Sequence, residues 1–247
     1  MSRQKHFLAD AAHQLKTPLA GLRTQAELIQ REIDAGRASP DELKRSLAHI
    51  SRASERAAHM VNQLLSMARA EDAEQALRRE PVNLAEIAVD TVRDFVPRAL
   101  ERRIDLGFDG VLPEDSRLRV QGQPVLIGEL IRNLVDNALL YTPAGGLVTV
   151  RIVEDPFGQV VVLQVEDTGP GIAPGEREKV FQPFYRSLGS GVEGSGLGLA
   201  IVKEIVQQHE AELTLDDTRL RRAAGGESPD GQGPGARFTI RFAAVVA

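Results

Sequence analysis

Through the first seventy residues, apolar side chains recur at alternating steps of four and three. Leu8, Ala12, Leu15, Leu19, Leu22, Ala26, Ile29 and Ile33 trace the seam of a heptad helix. After Gly36, the run Ser39-Pro40-Asp41-Glu42 predicts a new helix start. Serine serves as the cap, proline takes the first helical position and glutamate closes the capping box. The seam of this second helix is Leu43, Leu47, Ile50, Ser54, Ala57, Val61, Leu64 and Ala68. Two antiparallel helices, each about 40 Å long at a rise of ~1.5 Å per residue, cannot close a core by themselves. A homodimeric four-helix bundle solves that problem.

From about Arg78 the pattern changes. Val82 to Arg103 is predicted mostly helical, Ile104–Phe108 and Leu118–Val120 as short strands, and Val125–Tyr141 as a helix. Leu147–Val153 and Val160–Val165 alternate as strands, Gly198–Gln208 returns to the helical period, and Leu213–Leu215 with Phe238–Phe242 complete a mixed sheet. The expected fold class is α+β: an all-α hairpin over 1–75, then an α/β sandwich over 80–247. Between the last two strands, Ala223–Gly235 holds five glycines and two prolines and is expected to be a mobile loop without fixed structure.

Composition narrows the function. The chain has 247 residues, 42% of them apolar, and a net charge of −5 with both signs interspersed. A real core is affordable, and there is no basic stripe to engage nucleic acid. There is no cysteine, so disulfides and thiolate metal sites are excluded. No run approaches the length of a membrane span, and the first residues do not form a signal peptide. The chain as given is expected to be cytoplasmic.

Three motifs carry the chemistry. Asn133 and Asn137 lie four apart on one helix, where neutral oxygen ligands suit a Mg²⁺ that also holds ATP phosphates. Taken alone, two such asparagines could equally bond a neighbouring loop. Asp167-Thr168-Gly169-Pro170-Gly171 follows an apolar strand. Its carboxylate can accept the amino protons of adenine and its glycines admit a close approach, although a strand-end turn has the same residues. Gly194-Ser195-Gly196-Leu197-Gly198 opens a helix whose first N–H groups can face phosphate, without the lysine of a P-loop. Far upstream, His13 falls one residue past a seam position and is expected to face solvent as a nucleophile, with Pro18 kinking the helix beside it. The other histidines, His6, His49, His59 and His209, are assigned to solvated surface.

These motifs resemble those of the sensor histidine kinases of two-component systems, over nearly the whole chain. Phe7–Leu19 resembles the phosphoacceptor box, Asn133–Pro143 the asparagine box and Asp167–Gly171 the first glycine box. Phe181-Gln182-Pro183-Phe184-Tyr185-Arg186 resembles the phenylalanine box and Gly194–Gly198 the second glycine box. The resemblance implies a dimerisation and phosphoacceptor module followed by a Bergerat-type ATP-binding domain. His13 would be phosphorylated from ATP and the group passed to an aspartate on a response regulator receiver domain. Gln14 would sit beside the imidazole, and Thr17 would orient water for dephosphorylating the regulator. Asn137 would hold Mg²⁺ with Asn133 beside it, Asp167 would bind adenine and Tyr141 would pack along the base. Gly169, Gly171, Ile172, Phe184, Gly194, Ser195, Gly196, Leu197 and Gly198 would complete the ATP site, Arg186 would reach toward the phosphates, and Ser187–Glu193 would form a short lid. Any membrane attachment would come through an N-terminal sensor region, anchoring the native protein in the inner membrane with this part in the cytoplasm.

Two positions depart from the family pattern. Gln14 stands where most relatives carry a carboxylate, and Leu140 where many have lysine or arginine. A glutamine can accept a hydrogen bond but is no base. Two competing readings share the pocket. One is a degenerate, non-catalytic dimer that binds ATP and docks partners; the other is an ATP-driven machine of the gyrase or chaperone type, which leaves His13 and Pro18 without a role.

Overall fold

The computed structural model describes residues 16, 20–37, 39–70, 79–157, 159–186, 195–218 and 233–246. The expectations for His13, Gln14, Thr17, Pro18, Gly194, the segment Ser187–Glu193 and residues 223–232 fall outside these. The chain forms two compact units, divided between Leu65 and Ser66.

In the first unit, helix α1 covers 20–34 and α2 covers Pro40–Ala70. The turn between them uses Gly36 at φ 62°, whose N–H donates to the Ile33 carbonyl at 3.0 Å. The predicted capping box forms: the Glu42 N–H donates to Ser39 Oγ at 3.3 Å and the Ser39 N–H to Glu42 Oε2 at 3.2 Å. The Ser39 hydroxyl bond holds the Glu42 carboxyl below its ordinary range.

The seam of α2 differs from the expected one at every second position. Leu43, Ile50, Ala57 and Leu64 are partly covered, but Ser46, Ala53 and Met60 turn inward in place of Leu47, Ser54 and Val61. Likewise Gln25 rather than Ala26 accompanies Leu22 and Ile29 on α1. The heptad identifies a helix, but apolar residues on two adjacent stripes leave open which stripe faces the hairpin partner. The stripe turned outward includes Leu47, Val61 and Leu65, each at least 41% exposed.

The second unit is a seven-stranded sheet with helices on one face. Its elements are β1 (Glu80–Val82), α3 (Leu84–Glu101), β2 (Asp105–Gly110), β3 (Leu118–Gly122), α4 (Pro124–Tyr141), β4 (Leu147–Glu154), β5 (Val160–Asp167), α5 (Gly198–Gln208), β6 (Glu212–Asp216) and β7 (Arg237–Val246). Strand order is β1-β3-β7-β5-β4-β2, with β6 beside β7; β2 and β4 run parallel and the other pairs antiparallel. Single 3-10 turns occur at Pro174–Glu176 and Lys179–Phe181.

Helix α3 begins later than its apolar pattern suggests, because Glu80–Val82 pairs with β3 and Asn83 caps the helix. Asn83 Oδ1 accepts from the N–H groups of Ala85 and Glu86 at 3.2 and 3.4 Å.

Period-two burial orients the strands. Val148, Val150 and Ile152 on β4, Val161, Leu163 and Val165 on β5, and Phe238, Ile240 and Phe242 on β7 are all at most 2% exposed. They meet α4, whose Leu126, Ile127, Leu130, Ile131, Leu134, Val135 and Leu139 are similarly buried. Helix α4 is flanked by α3 and α5, which explains why it is apolar around most of its circumference.

His209, expected at the surface, is 8% exposed. Its Nδ1–H bonds the Ile205 carbonyl at 2.8 Å, and its Nε2 accepts the Gln123 N–H at 3.1 Å. The imidazole therefore ties the end of α5 to the start of α4, and burial pushes its pKa down.

Candidate active site

Asp167 ends β5 with the same parity as Val161, Leu163 and Val165, so its carboxylate is carried on the helix-covered face of the sheet. It is 5% exposed. Its Oδ1 accepts from the Gly169 N–H at 2.8 Å and the Ala236 N–H at 3.3 Å. Its Oδ2 has no hydrogen bond among the described residues, yet is not among their sealed, unsatisfied atoms. Burial pushes the carboxyl up to about 6, against the lowering effect of the two backbone donors, with the Glu166 charge adding a further upward push. One carboxylate oxygen is thus held by two backbone donors, and the other carries no hydrogen bond among the described residues.

Glycines allow the chain to close around it. A Cβ on Gly169 would sit 2.9 Å from Asp167 Oδ1 and 3.0 Å from the Tyr141 carbonyl, so this residue brings the strand end against the end of α4. Gly235, at φ 69°, leaves no room either: its Cβ would be 2.1 Å from the Asp167 carbonyl. Gly171, at φ 74°, faces the Gly235 carbonyl and Pro234. The segment Gly233–Gly235, expected to be loose, is therefore packed tightly onto the Asp167 turn. Thr168 fastens the turn from the other side, its Oγ1 accepting the Leu147 N–H at 2.9 Å. The Ile172 carbonyl accepts from Arg177 Nε at 3.2 Å.

Helix α4 carries the asparagines. Asn133 is 7% exposed and its Nδ2 donates to the Glu129 carbonyl at 2.8 Å, so the amide bonds its own helix and not a neighbouring loop. Asn137, one turn on, is half-buried, and its side chain makes no hydrogen bond among the described residues. Tyr141, half-buried, closes the same helix. The carbonyl of Leu140 accepts from Arg102 at 3.2 Å.

The phenylalanine and second glycine motifs meet directly. The Phe184 N–H donates to the Gly196 carbonyl at 2.9 Å, and a Cβ on Gly196 would lie 2.8 Å from the Phe184 carbonyl carbon. Both residues adopt positive φ, 63° and 71°. Phe184 accepts the left-handed conformation at some cost, which its neighbours over-determine. Ser195 Oγ accepts the Leu197 N–H at 3.1 Å, and Leu197 is fully buried. Among the described residues no side chain caps the start of α5. Arg186 is exposed.

The structure thus joins Asp167 and Gly169 to Tyr141, and Phe184 to Gly196, with α4 and α5 packed together. Sequence reasoning missed Thr168 as a clasp, Gly235 and Ala236 as a wall and Arg177 as a brace. The one local signal was Gly233-Pro234-Gly235 directly ahead of a strand.

Residues 122–245 match the family described as histidine kinase-, DNA gyrase B- and HSP90-like ATPase, and residues 3–73 match the His Kinase A (phospho-acceptor) domain. The chain is 38% identical to the sensor protein kinase PmrB of Pseudomonas aeruginosa over 87% of its own length and 43% of the relative's. It is 36% identical to the histidine-protein kinase/phosphatase MprB of Mycolicibacterium paratuberculosis over 96% of its length and 42% of that protein's. The chain therefore spans about two-fifths of the length of these curated relatives. Among solved structures, the mycobacterial sensor histidine kinase MprB aligns with a TM-score of 0.54 at 29% identity, covering 68% of this chain and 99% of that one. The Acinetobacter baumannii histidine kinase AdeS aligns at 0.65 over 94% of this chain and 97% of its own, a likeness of fold at 23% identity. With both domains matched and the α+β fold shared, the chain belongs to the sensor histidine kinases of two-component systems.

Proposed function

We propose that the protein uses ATP to phosphorylate itself on His13 and passes the phosphoryl group to an aspartate on a response regulator receiver domain. The observation that carries the nucleotide half is Asp167: a buried carboxylate with Oδ1 occupied by two backbone donors and Oδ2 without a hydrogen bond among the described residues. An exocyclic amino group of adenine has the donor that this oxygen lacks, and Tyr141 lies beside the same turn to cover the base. The uncapped start of α5 favours phosphate charge.

The described residues fit a magnesium ion in the way the asparagines suggest. Asn137 has an unengaged amide, and Asn133 has its Nδ2 tied to Glu129, which leaves Oδ1 as its ligand atom. Amide and phosphate oxygens are the hard donors that this ion prefers, and when bound it would neutralise charge on the phosphates. Arg186 adds a cation toward the same end.

In the transfer, an imidazole nitrogen of His13 attacks the γ-phosphorus, the bond to the β-phosphate oxygen breaks, and the ring proton passes to solvent or another base, since Gln14 cannot take it. Thr17 would support the reverse task, hydrolysis of the regulator's phosphate. The kinase/phosphatase name of the MprB relative supports that bifunctional reading.

The partners are a second copy of this chain and the receiver domain. Leu28, Ile33, Leu47, Val61 and Leu65 are 41–60% exposed on the hairpin, an apolar surface suited to self-association into a four-helix bundle. No helix among the described residues is long and apolar enough to cross a membrane. The greater length of the relatives leaves room for the sensor region expected ahead of His13, and any inner-membrane anchor would belong there.

Incubation with γ-labelled ATP and Mg²⁺ tests the proposal. Label lost in acid and kept in base, and absent from His13→Ala, is the expected result; acid-stable label or label on the variant would overturn it.

A further inference from the structure

Behind Asp167, on the opposite face of the sheet, three charged side chains stand abreast on neighbouring strands. Glu166 of β5 is in register with Arg237 of β7, which is in register with Asp216 of β6. Arg237 Nη1 lies 3.8 Å from Glu166 Oε1, and Nη2 lies 3.6 Å from Asp216 Oδ2. The side chains of Glu166 and Arg237 are 3% and 13% exposed. Thr218 Oγ1 donates to Glu166 Oε2 at 3.2 Å, while Arg237 Nε is buried with no hydrogen-bond partner among the described residues.

This cluster is wired to the nucleotide side through the backbone. Ala236, next to Arg237, accepts the Asp167 N–H at 2.9 Å and donates its own N–H to Asp167 Oδ1 at 3.3 Å. Ala236, just ahead of β7, and Arg237, its first residue, therefore engage Asp167 and Glu166 in turn. An apolar pair would hold two strands together equally well. What an apolar pair lacks is a compensated charge one residue away from a buried carboxylate.

The described charges nearest Asp167 along the sheet come from its own and neighbouring strands. Its strand contributes Glu166, β7 contributes Arg237, and β6 contributes Asp216 behind it. The register partner on β4 is Val148, the end of α4 offers Tyr141, and the first turn of α5 carries no acidic residue.

We propose that Glu166, Arg237 and Asp216 are positioning residues for the nucleotide carboxylate: their pairing fixes the end of β5 against β7 and sets how readily Asp167 becomes the anion that receives adenine. The proposal rests on the adenine reading of Asp167. Its distinctive consequence is directional. Removing the Glu166 charge makes Asp167 easier to ionise, whereas removing Arg237 leaves Glu166 uncompensated and makes it harder. The upward push of Glu166 on the Asp167 carboxyl has the sign this requires.

The test follows the Asp167 carboxyl by ¹³C NMR titration in the nucleotide-free full chain, with ADP affinity measured over the same pH range. Glu166→Gln should lower the midpoint by about half a pH unit and Arg237→Gln should raise it by a similar amount. Near pH 6, where about half of Asp167 is ionised, these shifts correspond to about 1.5-fold stronger and about twofold weaker ADP binding. Should Arg237→Gln fail to fold, the Arg237 step is read between Glu166→Gln and the Glu166→Gln/Arg237→Gln double variant, which buries no lone carboxylate. Shifts of the same sign, or no shift in any variant, would overturn the proposal. Opposite shifts that ADP affinity ignores would instead overturn the adenine reading and leave the pairing effect intact.

Discussion

In the hairpin, Ile29, Ala53 and Gln63 are the buried side chains among the described residues, and Leu28, Ile33, Leu47, Val61 and Leu65 stand exposed. In the sheet-bearing unit, whole rows of Val, Leu, Ile and Phe on α4, α5, β4, β5 and β7 are sealed from solvent. The second unit holds its own core and can fix a carboxylate against buried backbone donors before any ligand arrives. The hairpin leaves apolar surface uncovered, which a second copy would cover in the proposed four-helix bundle. On the proposed function, nucleotide recognition would belong to a prebuilt wall, and phosphoacceptance to an element that presents apolar surface to a second copy.

His13→Ala should cut that comparison most sharply: phosphorylation is lost entirely while nucleotide affinity, measured by calorimetry, is unchanged. Next comes Asp167→Asn. With Oδ1 still bound by Gly169 and Ala236, the new amide nitrogen takes the place of Oδ2 and presents donors to a donor. ADP affinity should fall on the order of 100-fold, about 2–3 kcal/mol.

The same substitution should stabilise the second unit at neutral pH. Asp167 titrates near 6 folded against 3.8 ordinarily, so its ionisation costs stability as pH rises through that window and costs nothing below it. The advantage of Asn over Asp should therefore grow between about pH 4 and pH 6, to on the order of 2 kcal/mol, as read by denaturant unfolding.

Gly235→Ala, with its Cβ forced against the Asp167 carbonyl and φ at 69°, should destabilise the second unit by roughly 2–3 kcal/mol and weaken ADP binding. Val61→Asp, by contrast, should shift the protein toward monomer in light scattering and lower its phosphorylation while leaving ADP affinity alone.

The smallest effects come from the two helix caps. Ser39→Ala and Asn83→Ala should each cost about 1 kcal/mol, the first in the hairpin transition and the second in that of the sheet unit. If both lowered one common transition, the two regions would not be thermodynamically separate.

The sequence made α4, β4, β5 and α5 legible because their burial is decided within one chain, so apolar periodicity and structure report the same thing. Glu80–Val82 escaped notice because a three-residue edge strand containing Pro81 has too few alternations to show a period. The hairpin seam was half legible: periodicity gave the helix, but Leu47 and Val61 stand exposed, on a stripe that only the proposed second copy would cover. His209 was misread because a single histidine gives no hint of the carbonyl and N–H that its fold supplies. Gly233–Gly235 looked loose by composition, whereas glycine there permits a contact too close for any side chain.

The central claim is that Asp167, in its own unit, recognises the nucleotide independently of His13. Calorimetric titration of wild type, His13→Ala and Asp167→Asn with ADP and Mg²⁺ at neutral pH tests it most directly. Superimposable isotherms for wild type and His13→Ala, with saturation lost over the same range in a folded Asp167→Asn protein, are the predicted result. An Asp167→Asn protein that binds ADP as tightly as wild type would contradict it.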